Sequence, residues 1–240
     1  MRNLARCLLN KAGFDIVRRA YSNTDVADHL RNVIDHYAID CVLDVGANVG
    51  QYGRMLRGIG FSGHIVSFEP VHSVFQELAT TARDDPRWSV YEVALGSTSE
   101  TKAINVFTDS VFSSFHAASD YSKGVWDALK VAHAEDVSVV RLDDIFDTIR
   151  IDTGASRFLL KLDTQGFDSE AFRGARGALA YIPAMQSELS LIPVYDNAVP
   201  PYDALREFHD AGYAISGMYP INREPSLAVI EYDCVLVARG

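Results

Sequence analysis

The sequence predicts an α/β protein: a doubly wound, mostly parallel sheet with an antiparallel strand at one edge. Three observations carry this. Val42-Leu43-Asp44-Val45-Gly46-Ala47-Asn48-Val49-Gly50 begins as a short apolar strand and turns at two glycines. A helical pattern follows, with Tyr52, Met55, Leu56 and Ile59 on one face and Gly60 as the stop. His64 to Pro70 is a second apolar strand, ending on Glu69, and Arg157–Leu162 and Pro183–Ser190 are two more with a helix between them. Strands that alternate with helices build a parallel sheet covered on both faces.

The remaining elements follow in order. Residues 1–20 carry Arg2, Arg6, Lys11, Arg18 and Arg19 against the single acid Asp15, with Leu4, Leu8, Leu9 and Ala12 as an apolar stripe. A helix packed on the domain, a lipid-facing helix and a targeting peptide all fit this pattern, although the apolar core of a signal peptide is missing. The expected division is an N-terminal helical segment over 1–40, packed on a sheet domain over 41–240. Asp25–Tyr37 reads as a helix with Val26, Leu30, Val33, Ile34 and Tyr37 inward. Pro70 suits the first turn of a helix carrying Val71, Val74, Phe75, Leu78 and Ala82. Trp88–Val93 is a strand leading to Ala94-Leu95-Gly96, and Ser97–Asp109 a turn and strand. Tyr121–Glu135 reads as a helix, Val137–Arg141 as a short strand and Leu142–Ile149 as a short helix. Asp168 is placed to cap the next helix. After Pro200-Pro201 a helix presents Tyr202, Leu205 and His209 on one face, and Tyr213–Met218 and Asp233–Ala238 close the sheet as an antiparallel pair.

Composition sets limits on function. The 240 residues suit one domain, with 48% hydrophobic and 22% charged residues. A formal charge of −10 argues against a nucleic-acid partner. Cys7, Cys41 and Cys234 fall in no metal-ligand spacing, and so sparse a set suits a reducing cytoplasm. No apolar run is long enough for a transmembrane helix.

The chemistry points to the carboxyl ends of the strands. The glycine turn lets the backbone approach a ligand, and Glu69, 19 residues after Gly50, is placed to accept both hydroxyls of a ribose. G-x-G-x-x-G is absent, which argues against the alternative of a nucleotide-dependent oxidoreductase.

Asp44-Val45-Gly46-Ala47-Asn48-Val49-Gly50, Phe68-Glu69-Pro70, Ala94-Leu95-Gly96 and Lys161-Leu162-Asp163-Thr164-Gln165-Gly166 together resemble the FkbM-type S-adenosylmethionine-dependent methyltransferases. The resemblance runs from about Val42 to Val237, with one departure: the family usually has Glu where this chain has Gln165. It implies a Rossmann-like class I methyltransferase with a seven-stranded sheet, using S-adenosylmethionine to methylate a hydroxyl of a sugar or of a glycolipid or polysaccharide precursor. It implies a cofactor site of Asp44, Gly46, Asn48, Gly50, Tyr52, Glu69, Pro70, Ala94, Ser113 and Ser114. Asp163, Glu188 and Lys161 are the candidate catalytic residues, and Asp163 with Glu188 the candidate ligands of an optional Mg²⁺. His116, His133 and a sugar-stacking Tyr195 are secondary candidates. The expected setting is cytoplasmic, with peripheral contact at the inner membrane face and a homo-oligomer as open options. A cofactor-binding module without activity is the non-enzyme alternative, and the intact Asp44, Gly46, Gly50, Glu69 and Asp163 argue against it.

Overall fold

The computed structural model describes residues 25–126 and 130–239, so the expectation for residues 1–20 lies outside the described residues. Helix α1 (Val26–Tyr37) is capped by Asp25, whose carboxylate accepts from the Asp28 amide at 2.8 Å. Strand β1 (Cys41–Val45), helix α2 (Gln51–Gly58), strand β2 (His64–Phe68), helix α3 (His72–Ala82) and strand β3 (Trp88–Tyr91) follow as two strand–helix repeats and a closing strand. Then come β4 (Ala94–Leu95), β5 (Glu100–Phe107), α4 (Asp120–Val125), β6 (Val131–Val140) and α5 (Leu142–Thr153). The chain returns to the main sheet through β7 (Phe158–Leu162), α6 (Asp168–Arg173), β8 (Ala184–Ser190), α7 (Pro201–Asp210), β9 (Tyr213–Arg223) and β10 (Val229–Ala238).

The seven-stranded sheet has the order β3-β2-β1-β7-β8-β10-β9. β1, β2, β3, β7 and β8 pair in parallel, and β10 runs antiparallel to both β8 and β9. The reversed strand is therefore next to the edge rather than at it, and the edge strand β9 points the same way as the parallel set. Strand alternation divides the core. Leu43, Leu160 and Leu236 meet Phe146, Phe172 and Phe208 on one face, while Val42, Leu159 and Val235 meet Leu30, Leu56, Leu78 and Trp88 on the other. Helices thus cover both faces, as strands without a polar side require. Among the described residues no helix is long and apolar enough to cross a membrane. Cys41 and Cys234 are buried free thiols.

Four local expectations need correction. Over Tyr121–Glu135 only the short α4 forms; residues from Val131 onward pair with β5 in a second, three-stranded sheet of order β4-β6-β5. The outer half of β6 is solvent-exposed, which removes the alternation that marks a strand. Pro70 precedes the α3 cap, Val71, instead of sitting in the first turn. Asp168 is the first residue of α6 rather than its cap, and its carboxylate reaches back to the Thr164 amide (2.7 Å) and hydroxyl (2.5 Å) and across to the Ser187 hydroxyl (2.8 Å). On α7 the buried residues are Ala204 and Phe208, whereas Tyr202 is 74% exposed.

Gly53, inside α2, is required by packing. A Cβ there would stand 2.1 Å from Cζ2 of Trp88, a ring held by its Nε1–H bond to Ser67 Oγ at 3.0 Å. Replacing a helical glycine by alanine normally gains about 1 kcal/mol, but overpacking against a fixed ring costs about 1–3 kcal/mol. Gly53→Ala is expected to lower the unfolding free energy in urea; a stabilised variant would contradict this packing account.

Candidate active site

The turn after β1 is shaped by two left-handed glycines with different jobs. Gly46, at φ +77°, passes the loop after β7 so closely that a Cβ would stand 1.9 Å from the Asp163 carbonyl oxygen. Gly50, at φ +89°, sits where a Cβ would stand 3.1–3.2 Å from Leu78, Thr81 and Trp88, so it packs α2 onto α3 and stands behind the ligand-facing wall. Between them Asn48, at φ 48°, folds its Oδ1 onto the Val49 amide (2.8 Å) and donates from Nδ2 to Ser110 Oγ (3.2 Å).

Above this turn, at the carboxyl ends of the parallel strands, lies a cavity of about 430 Å³. That is where open α/β sheets bind ligands. Its two ends differ in chemistry. Pro70, Ala94, Leu95, Ile104 and Phe115 make one side apolar, while Asp163, Glu188 and Asp233 make the other acidic. Glu69 projects between them, with Oε2 accepting from the Asn48 amide (2.9 Å) and Oε1 from the Val71 amide (3.0 Å). Burial outweighs these two bonds and pushes its carboxyl up to about 7. Ser113 lines the cavity with a buried hydroxyl that lacks a hydrogen-bond partner. Ser114 stands behind the wall, donating to the Gln165 carbonyl at 2.6 Å.

The floor is a buried charge cluster. The Lys161 ammonium lies 3.2 Å from Asp44 Oδ1, 3.3 Å from Asp163 Oδ2 and 3.2 Å from the Gly46 carbonyl oxygen. Asp44 is fully buried below the cavity, and its Oδ2 accepts from Ser67 Oγ at 3.0 Å. Its Oδ1 has the Lys161 charge nearby but no aligned hydrogen bond. Burial opposes the lysine's charge, yet the two carboxylates more than compensate and raise its pKa. Tyr52 closes this end: its hydroxyl donates to Gln186 Oε1 (2.8 Å), whose Nε2 donates to Asp233 Oδ1 (2.7 Å).

The Asp163–Glu188 pair does not fit the Mg²⁺ reading. Asp163 already engages both oxygens, Oδ2 with Lys161 and Oδ1 with Gln165 Nε2 at 2.8 Å. Burial, then the charges of Asp163 and Glu231, push the Glu188 carboxyl well above the usual carboxylate range. Among the described residues no group of three or more His, Cys, Asp or Glu is placed to hold a metal. Gln165 now has a physical reason, because a glutamate at its place would set two carboxylates against each other.

The secondary candidates scatter. His116 and His133 line neither this cavity nor the one beside it. Tyr195 is buried, with its hydroxyl donating to Gln165 Oε1 at 2.8 Å. Sequence reading missed Gln186 and Asp233. An acid inside the apolar run of the last strand was the available signal for Asp233; Gln186 had none, because only the sheet order brings it beneath Tyr52.

A glycine turn after the first strand and an acid at the end of the second define a nucleoside-binding α/β fold. Within that class a family profile described as "Methyltransferase FkbM domain" matches residues 44–215, and the chain belongs to that family. A search of curated proteins finds no match. Among solved structures, EvdMO1 is 12% identical with a TM-score of 0.47, over 99% of this chain and 48% of that one, so this chain spans about half its length. Aeropyrum pernix fibrillarin, solved with natively bound S-adenosyl-L-methionine, is 12% identical over 91% of this chain and 76% of that one, with a TM-score of 0.46. The methyltransferase domain of bacterial CtHen1-C is 11% identical over 91% of this chain and 99% of that one, with a TM-score of 0.46.

Lys161→Met keeps the bulk and removes the charge, leaving fully buried Asp44 without its cation. Stripping one partner from a buried ion pair costs about 3–5 kcal/mol. A loss of that size in chemical denaturation is expected; near-native stability would show that the cluster does not hold the floor.

Proposed function

We propose that the chain is an S-adenosylmethionine-dependent O-methyltransferase acting on a hydroxyl of a sugar or of a glycolipid or polysaccharide precursor. The observation that carries the cofactor reading is the asymmetry of the cavity about Glu69. An apolar slot suits a nucleobase, a carboxylate beside the turn suits ribose hydroxyls, and an acidic end suits a sulfonium and an ammonium. The unpartnered Ser113 hydroxyl adds a polar group with no other use. In this arrangement Pro70, Ala94 and Phe115 hold the base, Glu69 the ribose, and Gly46, Tyr52 and Asp163 the amino-acid end. Asn48 faces the cavity from the turn, while Asp44, Gly50 and Ser114 act from behind by fixing the turn and the loops.

S-adenosylmethionine supplies an electrophilic methyl group on a good leaving group. What the protein adds is alignment of the acceptor oxygen and a place for its proton. Asp163 is the carboxylate placed for the proton, because it lines the cavity at the end of β7 and is held there by the Lys161 ammonium. Glu188 holds the acceptor by hydrogen bonds, and Lys161 is a positioning residue that fixes Asp163 relative to Gly46. The sugar class rests on the family resemblance, and O-transfer on the need of a hydroxyl for a nearby proton acceptor.

Two outcomes are expected. S-adenosylhomocysteine affinity depends on Glu69 being ionised, since ribose hydroxyls donate to a carboxylate. With the free carboxyl near 7, affinity should rise as pH rises from about 6 to 8 and level off above. Glu69→Ala should weaken binding by about 1–3 kcal/mol and abolish the pH dependence. Titration calorimetry with unchanged affinity would contradict the ribose assignment.

Asp163→Asn should lower turnover by roughly 10²–10⁴, the range of general-base help, while cofactor affinity changes little. EDTA should leave wild-type turnover unchanged. Turnover that EDTA abolishes and Mg²⁺ restores would overturn the metal-free account, and near-wild-type turnover in Asp163→Asn would overturn the base.

A further inference from the structure

Beside the first cavity lies a second, of about 270 Å³. Gln165 and Glu188 line both, so the two spaces share one wall at the acidic end of the first. The second cavity is enclosed by β8, the 190–201 loop and the start of α7. Its polar groups are all acceptors or neutral donors: Glu188, Glu231, Asp168, Ser190 and Tyr195. Among the described residues no lysine, arginine or histidine lines it.

Glu231 was not among the sequence candidates. It enters from β10, is only 5% exposed, and accepts from Asn222 Nδ2 (2.9 Å) and Ser190 Oγ (3.2 Å). Neither contact brings a full positive charge, and with a further hydrogen bond to the Glu188 carboxyl the pair still keeps unused acceptor sites. An anion entering this space would meet acidic side chains and no cation among the described lining residues, whereas hydroxyl groups would find acceptors. Tyr202 at 74% exposure and Leu191 at 37% give the rim an apolar platform next to Pro200 and Pro201. Such a platform suits the C–H face of a ring that carries its hydroxyls at the edge. The volume falls just under the usual range of about 300–1,000 Å³ for ligand pockets, which limits the occupant to a single ring.

We infer that this second cavity is the acceptor subsite, that it takes one uncharged, hydroxylated ring and rejects a phosphorylated one, and that Glu231 is the residue that selects it. This rests on the methyltransferase reading, because the acceptor hydroxyl must reach past Gln165 and Glu188, which border both cavities, to Asp163 and the methyl group in the first.

The test uses the full chain saturated with S-adenosylhomocysteine. Ligand-observed saturation-transfer NMR is recorded with the methyl glycosides of glucose, galactose and mannose, and with glucose 6-phosphate. At least one methyl glycoside should bind and glucose 6-phosphate should not. Glu231→Gln should weaken the glycoside roughly tenfold, as for a lost hydrogen bond to a charged group, with S-adenosylhomocysteine affinity unchanged. Tyr202→Ala, a surface change with no folding burden, should weaken it as well. Binding of glucose 6-phosphate as tight as that of the glycosides, binding indifferent to both variants, or no glycoside binding to the loaded protein would each overturn the inference. Failure to load S-adenosylhomocysteine at all would instead strike the cofactor reading.

Discussion

The site depends on one buried ammonium. Lys161 comes from the middle of the sheet, and its Nζ lies within 3.3 Å of two carboxylates and a backbone carbonyl. Those partners belong to two separate pieces of chain: Asp44 on β1 with Gly46 in the turn that follows it, and Asp163 at the end of β7. An ammonium removed from water is costly unless several acceptors replace the water. The lysine therefore fixes the distance between the turn and the Asp163 loop. The closeness of Gly46 to the Asp163 carbonyl, where no Cβ fits, is the steric half of the same constraint.

From that anchor the two ends of the cavity follow. Glu69 is fixed on its side by amides of the turn and of Val71. The Tyr52–Gln186–Asp233 chain ties α2 to β8 and β10, so hydrogen bonds hold the Asp233 part of the acidic wall while Lys161 holds Asp163. Gln165 extends the wall: it donates to Asp163 and accepts from Tyr195, a buried residue of the loop before α7. A single amide thus communicates between the charged floor and the second cavity.

What was legible in the sequence was what is local. β1, its turn, α2, β2 and α1 could be read because hydrophobic period, glycine and capping act over a few residues. The need for glycine at Gly50 was legible but its cause was not, since the demand comes from Leu78, Thr81 and Trp88 on other elements. The strand from Val131 was hidden for the opposite reason: it is held by a ladder to β5 while half of it faces solvent. The candidate site divides in the same way. Glu69 and Asp163 announce themselves at strand ends. Gln186 meets them because β8 pairs with β7, and Asp233 and Glu231 because β10 inserts, reversed, between β8 and β9. The face of α7 was misread by the weight given to Tyr202, which turns out to be a rim residue.

The central claim is that one cavity holds an adenosyl ligand across a charge asymmetry set by Lys161. A crystal structure of the full chain grown with S-adenosylhomocysteine tests it most directly. The account requires the adenine between Pro70, Ala94 and Phe115, both ribose hydroxyls on Glu69, and the amino-acid end toward Asp163. A ligand found in the reverse orientation, with its adenine against Asp163 and Asp233, or bound away from the Gly46 turn, would contradict it.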